Sequence, residues 1–108
     1  MKLISKSKLL KIINRYGVNK QLRKFNEEVF EVNEAIIKLE NISFPDSEHL
    51  RAVKEEIADV LVLLNQFICL YNIKSDDIAD IMEYKIDRTL KRMESEQCQT
   101  IINTENLV

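Results

Sequence analysis

The chain has 108 residues and carries 16 Lys and Arg against 18 Asp and Glu, for a formal net charge of -2 at pH 7. This near-balance offers no general attraction to nucleic acid or to an anionic membrane, so we predict neither as a partner. A single Gly and a single Pro argue against a turn-rich β fold and favour a few long helices. A monomer of this size buries only about two-thirds of its unfolded surface, which makes homo-oligomerisation attractive.

Apolar residues at three- and four-residue steps predict four helices. The expected spans are residues 5–16, 20–41, 47–71 and 75–96. Gly17 is expected to end the first helix in a left-handed conformation, and Asn19 to cap the second. Asp46 or Ser47 is the expected cap of the third. The pattern predicts an all-α fold with a four-helix core in residues 1–96, followed by a tail, residues 97–108, that is flexible or packs on a neighbouring subunit.

The expected location is the reducing cytoplasm. Cys69 and Cys98 form neither a C-x-x-C motif nor a disulfide framework. The N-terminus lacks the sustained apolar core of a signal peptide. No run reaches the roughly 18 apolar residues of a membrane span, because polar residues follow the longest one at once.

Two acidic clusters interrupt the helical apolar pattern, E-E-V-F-E at residues 27–31 and E-E-I-A-D at residues 55–59. Residues three apart on a helix point to nearly the same side, so Glu28 pairs with Glu31, and Glu56 with Asp59. Such a cluster alone is more often a solvated helix face. Here Glu28 lies at the edge of an apolar stripe and Asp59 lies inside an apolar run, which indicates two antiparallel helices facing each other through their acids.

Four carboxylates around one space repel one another, and a partly buried carboxylate is costly unless it is neutralised or paired. A divalent cation resolves both problems. Oxygen ligands of this kind suit Mg²⁺ or Mn²⁺, with phosphate oxygens and water completing the coordination.

The order of the two motifs resembles the MazG-like family of all-α nucleoside triphosphate pyrophosphohydrolases. That family is related to the dimeric dUTPases, the dCTP pyrophosphatases and the phosphoribosyl-ATP pyrophosphohydrolases, and the resemblance extends over about residues 21–92. It implies that Glu28, Glu31, Glu56 and Asp59 bind Mg²⁺. By the same resemblance Glu27 contacts the metal-binding groups without binding the metal itself, or helps to activate the attacking water.

The resemblance also implies substrate contacts outside the acidic motifs. A Lys followed by an acid and an Arg is common in the family's last helix, and here Lys85 and Arg88 take those places. Gln21 and Lys24 share the side of the helix that carries Glu28. Gln66 occupies roughly the sequence position at which many members of the family have an Asn. We expect Lys85 to act in catalysis, and all five residues to contact substrate.

The single histidine, His49, forms a D-x-x-H pattern with Asp46 at a helix start. No second His accompanies it, so the interpretation is a surface residue near the cap and not a metal ligand. No Ser/His/Asp or Cys/His arrangement is supported either, because this histidine lacks a credible nucleophile.

The implied function is Mg²⁺-dependent cleavage of a nucleoside or deoxynucleoside triphosphate between the α and β phosphates, giving a nucleoside monophosphate and pyrophosphate. The implied assembly is a homodimer or homotetramer. Two alternatives stay open: a non-catalytic helical interaction or regulatory module, in which the acids are surface features, and a phosphoribosyl-ATP pyrophosphohydrolase.

Overall fold

The computed structural model describes residues 4–44 and 46–106, and the side chains of residues 4–44 and 46–99. This part of the chain forms four helices and no strand, which confirms the all-α prediction. The helices are α1 (Lys6–Tyr16), α2 (Val18–Glu40), α3 (Ser47–Leu70) and α4 (Ser75–Asn106). Helix α4 continues through residues 97–106, where the sequence pattern indicated a tail. None of these described helices is long and apolar enough to cross a membrane.

The turn between α1 and α2 is a single residue. Gly17 has a positive φ of 85°, which side chains rarely tolerate, and its N–H donates to the carbonyl of Ile13 at 2.8 Å. Because Gly17 completes the turn alone, α2 already begins at Val18. The prediction that Asn19 caps α2 is therefore wrong, since this residue lies within the helix.

The start of α3 is capped by Asp46, one of the two predicted candidates. The Asp46 side chain accepts a hydrogen bond from the backbone N–H of His49 at 2.9 Å. This bond satisfies one of the N–H groups that the first turn of a helix leaves without a partner.

The described residues divide into two compact units, residues up to Asn72 and residues from Ile73 onward. In the first unit α2 packs against α3, and α1 packs against both. The second unit contains the single helix α4, which has no other element of its own unit to cover its apolar side chains. Several large ones are exposed: Ile81, Met82, Tyr84, Ile86, Leu90 and Met93.

The apolar core of the first unit is small. Among its described residues, the buried hydrophobic ones are Leu9 and Ile13 from α1 and Val53 and Leu63 from α3. The face of α2 that is turned inward instead carries Gln21 and Glu28 as its buried residues.

Many of the apolar residues whose three- and four-residue spacing predicted the helices are exposed. They include Leu22, Val29 and Ile36 on α2, and Leu50, Ile57, Leu61, Leu64 and Tyr71 on or next to α3. The buried face of α3 instead follows residues 53, 56, 60, 63 and 66, at steps of three and four. The inner face of α3 cannot be identified from hydrophobicity alone, because its inward position between Val53 and Val60 is occupied by Glu56.

Replacing Leu63 by Ala should lower the free energy of unfolding by about 2–4 kcal/mol, because the cut removes buried methyl groups and leaves a cavity. Leu63 is only 2% exposed, whereas Leu61 on the same helix is 49% exposed. Leu61→Ala is therefore the matched control, with an expected loss below about 1 kcal/mol. Urea unfolding measures both, and equal losses would contradict the buried face described above.

Candidate metal centre

Helices α2 and α3 run antiparallel and meet through polar side chains. Near the start of α2, Gln21 Nε2 donates to Gln66 Oε1 near the end of α3 at 2.8 Å. Two turns further along α2, Glu28 and Glu31 lie opposite Glu56. The sum of the paired residue numbers stays nearly constant, as an antiparallel register requires.

Three of the four predicted metal ligands come together in this interface. Carboxylate oxygens of Glu28, Glu31 and Glu56, one from each, all lie within 4.8 Å of one another. Glu28 is buried, with 8% of its surface exposed, while Glu56 is half-buried and Glu31 is exposed. The cluster thus has a closed inner side formed by Glu28 and an open outer side formed by Glu31.

The electrostatics of the cluster favour neutralisation. The pKa of Glu28 is raised from its ordinary 4.5 to about 7, first by burial and then by the neighbouring Glu31 and Asp59, against the opposing charge of Lys24. The pKa of Glu56 is also raised, chiefly by its contact with Glu31. In the absence of a cation, the cluster therefore holds a proton more tightly than free carboxylic acids do.

Two buried oxygens of the cluster, Glu28 Oε2 and Glu56 Oε2, have no hydrogen-bond partner among the described residues. A buried acceptor without a partner costs about 1–3 kcal/mol, more when it is charged. The cation Lys24 reaches only the other oxygen of Glu28, at 3.9 Å from Oε1. A hard divalent cation fits this all-oxygen donor set, so Glu28, Glu31 and Glu56 are the residues that would hold one.

The remaining acidic candidates lie at the edge of this group. Asp59 is exposed and does not join the three-carboxylate set, but its charge is near enough to raise the pKa of both Glu28 and Glu56. Glu27 is exposed on α2 and borders a shallow depression shared with Lys20, Arg23 and Lys24.

A cavity of about 420 Å³ adjoins the amide pair. Gln21 and Gln66 are 3% and 2% exposed, and beyond the bond that joins them their amides make no other hydrogen bond within the described part of the chain. The residues that line the cavity are Ile12, Tyr16, Lys20, Gln21, Lys24, Val62, Leu63 and Gln66. Three of the five predicted substrate contacts, Gln21, Lys24 and Gln66, thus border one cavity with apolar walls and amide groups.

Sequence reasoning assigned no role to Tyr16 or Lys20 of this cavity. The ammonium of Lys20 lies 4.8 Å from the centre of the Tyr16 ring, a cation–π contact. The two residues flank the turn at Gly17, and only the tight geometry of that turn brings them together. A four-residue spacing across a glycine is not a signal that a helical pattern would reveal.

The two predicted phosphate-binding residues of the last helix, Lys85 and Arg88, lie on α4 in the second unit. The Arg88 guanidinium lies 5.9 Å from the centre of the Tyr84 ring, and the Lys85 carbonyl accepts a hydrogen bond from the Thr89 hydroxyl at 2.9 Å. Their contact with substrate stays a prediction.

Comparison of the chain with protein-family models, with curated proteins and with solved structures found no match.

The raised pKa of Glu28 predicts a pH-dependent stability when metal is removed by a chelator. Glu28 has a higher pKa in the folded protein than in the unfolded chain, so the folded protein binds the proton more tightly. The free energy of unfolding therefore falls as pH rises from about 4.5 to about 7, and the loss is complete above that range. This loss in the free energy of unfolding is at most about 3 kcal/mol. Glu28→Gln should flatten this decline and be the more stable protein at pH 8.

Urea unfolding at pH 5 and pH 8 measures the effect. The exposed Glu55, whose carboxylate contacts Arg51 at 3.1 Å, provides the control Glu55→Gln. Parallel profiles for wild type and Glu28→Gln would show that burial of Glu28 does not determine the pH dependence.

Addition of Mg²⁺ at pH 8 should raise the melting temperature, because the ion binds the folded cluster and not the unfolded chain. At a concentration one hundred times Kd the stabilisation is about 2.7 kcal/mol. Glu56→Gln should lose most of this shift and Glu55→Gln should keep it. Differential scanning calorimetry with and without EDTA distinguishes these outcomes, and an unchanged melting temperature in wild type would exclude a preformed metal centre.

Proposed function

We propose that the protein is a Mg²⁺-dependent nucleoside triphosphate pyrophosphohydrolase that resembles the MazG-like family. One observation carries the proposal: the Glu28, Glu31 and Glu56 carboxylates converge within 4.8 Å, with two buried oxygens lacking partners. A purely structural role does not explain why three like charges meet in a small helical unit. A divalent cation bound to phosphates does, and Mn²⁺ can substitute because it accepts the same oxygen ligands.

The neighbouring cavity suits the nucleoside part of such a substrate. Its apolar walls and the Tyr16 ring fit a flat heterocycle, and the Gln21 and Gln66 amides supply hydrogen-bonding atoms for its edge. Gln21 and Glu28 are seven residues apart, about 10 Å along α2. Lys24 lies between them in sequence, borders the cavity and lies 3.9 Å from Glu28, which supports a contact with the phosphate nearest the sugar.

The proposed reaction is attack of water on the α phosphorus, with cleavage of the bond between that phosphorus and the bridging oxygen. When bound, the cation offsets phosphate charge and lowers the pKa of water. Glu28, Glu31 and Glu56 hold it, with Asp59 as the fourth acid. Glu27, exposed and outside the ligand set, accepts the proton of the attacking water.

The substrate's negative charge is offset by cations of this chain. In the proposed enzyme Lys85 and Arg88 from α4 also offset this charge, as the family resemblance implies. Their ammonium and guanidinium groups stabilise the charge that develops on the leaving pyrophosphate.

We further propose that the enzyme is a cytoplasmic homo-oligomer, a dimer or tetramer. The support is the apolar surface left exposed on α4 and on the outer faces of α2 and α3, which is large for a chain with four buried hydrophobic residues among those described. Cys69 and Cys98 are free thiols, consistent with a reducing compartment.

Replacing single carboxylates tests the assigned ligands. Glu56→Gln and Asp59→Asn should reduce kcat by at least about a hundredfold while leaving the helical circular dichroism spectrum unchanged. Glu55→Gln is the matched control, since Glu55 is adjacent in sequence but exposed and paired with Arg51. Wild-type turnover in Glu56→Gln would refute the proposed centre.

A panel of canonical and modified nucleoside and deoxynucleoside triphosphates, assayed with Mg²⁺ or Mn²⁺, tests the reaction itself. We expect pyrophosphate and a nucleoside monophosphate in equal amounts, and no product with EDTA. Orthophosphate as the sole inorganic product would contradict α–β cleavage. Including phosphoribosyl-ATP in the panel separates the two substrate types that share such a scaffold.

A further inference from the structure

A second cavity, of about 350 Å³, lies beyond the carboxylate cluster on the side away from the Gln21–Gln66 pair. From α2 and α3 the first cavity uses residues 20–24 and 62–66, whereas the second uses residues 31–38 and 49–56. Its lining residues are Glu31, Glu34, Ala35, Lys38, His49, Ala52 and Glu56. Two of the candidate metal ligands, Glu31 and Glu56, therefore form part of its wall.

His49 is held in a defined orientation at this cavity. Asp46 Oδ1 lies 2.6 Å from His49 Nδ1 and also accepts the His49 backbone N–H at 2.9 Å. These bonds keep Asp46 ionised by lowering its pKa, and they leave Nε2 as the ring nitrogen available to a ligand. His49 does not join the three-carboxylate set, so it lines the space next to the metal centre without being one of its ligands.

Lys38 is the one ammonium group in the lining of this cavity. It follows Glu31 by seven residues and so lies on the same side of α2. Although three carboxylates line the cavity with it, Lys38 forms no ion pair with any residue that the structure describes.

The charges of the cavity set a condition on what it can bind. Glu31, Glu34 and Glu56 repel a phosphate when they are ionised. A divalent cation on Glu31 and Glu56 removes most of that repulsion, and the nearby Lys38 and His49 then attract an anion that is already bound to the cation. Phosphate binding in this cavity therefore requires the metal.

We propose that the second cavity receives the β and γ phosphates of the substrate, and later the pyrophosphate, with Lys38 and His49 as the residues that contact them. This inference rests on the proposed function, and it gives the substrate a direction: heterocycle towards Gln21 and Gln66, terminal phosphates towards Lys38 and His49. Nε2 of His49 donates to phosphate when the ring is protonated and accepts from a protonated phosphate oxygen when it is neutral.

Titration calorimetry with inorganic pyrophosphate and saturating Mg²⁺ tests the assignment. Lys38→Gln should weaken pyrophosphate binding about tenfold and His49→Gln about threefold, since each removes one contact to a charged group. Lys54→Gln removes an equal charge from an exposed lysine that borders none of the cavities described above, and its Kd should stay within about twofold of wild type. The Mg²⁺-induced rise in melting temperature should be the same in all three variants and wild type.

A second readout reports contact directly, because His49 is the only histidine of the chain. The nitrogen-15 resonance of its Nε2 should shift when pyrophosphate is added to the Mg²⁺-bound protein, and should shift less in Lys38→Gln.

Equal pyrophosphate affinity in Lys38→Gln, His49→Gln and Lys54→Gln, with an unmoved Nε2 resonance, would overturn this inference and leave the metal centre and its reaction intact. Wild-type protein that is stabilised by Mg²⁺ but binds no pyrophosphate would overturn it as well. Failure of the proposed function is recognised separately, by the absence of any Mg²⁺ effect or of α–β cleavage in wild type.

Discussion

Repulsion among three carboxylates at the interface of α2 and α3 is the constraint on which the rest of the structure depends. Glu28 is almost fully buried, and the charge of Glu31 adds to the cost of ionising it. A helical unit with so few buried apolar residues has little stability to offset such a cost. The cation of the proposed function would remove this repulsion by taking the place of the proton.

The same constraint explains why polar residues take positions that a helical core normally gives to leucine or valine. The inward face of α2 carries Gln21 and Glu28, and the inward face of α3 carries Glu56 and Gln66. The two glutamines form a hydrogen bond with each other at 2.8 Å. The glutamate oxygens only accept hydrogen bonds, so they cannot pair with one another without a proton or a metal ion. The hydrogen bond between the amides and the convergence of the carboxylates belong to the same antiparallel register of α2 and α3.

The fold class and most of the acidic centre could be predicted because they depend on local spacing. Four helices follow from the scarcity of Gly and Pro and from the apolar steps, and the pairing of Glu28 with Glu31 follows from one helical turn. Helix rotation could not be predicted in the same way. Several large apolar side chains of α3, such as Ile57, Leu61 and Leu64, are exposed, and the position of Glu56 on the inner face becomes clear only once the partner helix is known.

Asp59 illustrates the same limit. It shares a side of α3 with Leu63 and lies in a strongly apolar run, which favoured a place for it inside the helix pair. The structure gives that place to Glu28 and leaves Asp59 exposed at the margin of the cluster. Because hydrophobic neighbours in sequence are spread around a helix, they show that a helix is buried somewhere without showing which residue is.

The cavities on the two sides of the carboxylate cluster are lined by different kinds of side chain. The geometry of an antiparallel helix pair does not by itself require this difference. The cavity near Gln21 and Gln66 combines apolar walls with neutral amides, while the cavity near Lys38 and His49 is lined mostly by charged groups. An antiparallel helix pair with acids at its centre has two ends, and a metal ion at that centre has no preference between them. A substrate with a flat uncharged end and a highly charged end matches this difference in a single orientation. The asymmetry of the two cavities, more than the carboxylates themselves, is therefore the observation that favours the proposed nucleotide substrate over a general divalent-cation site.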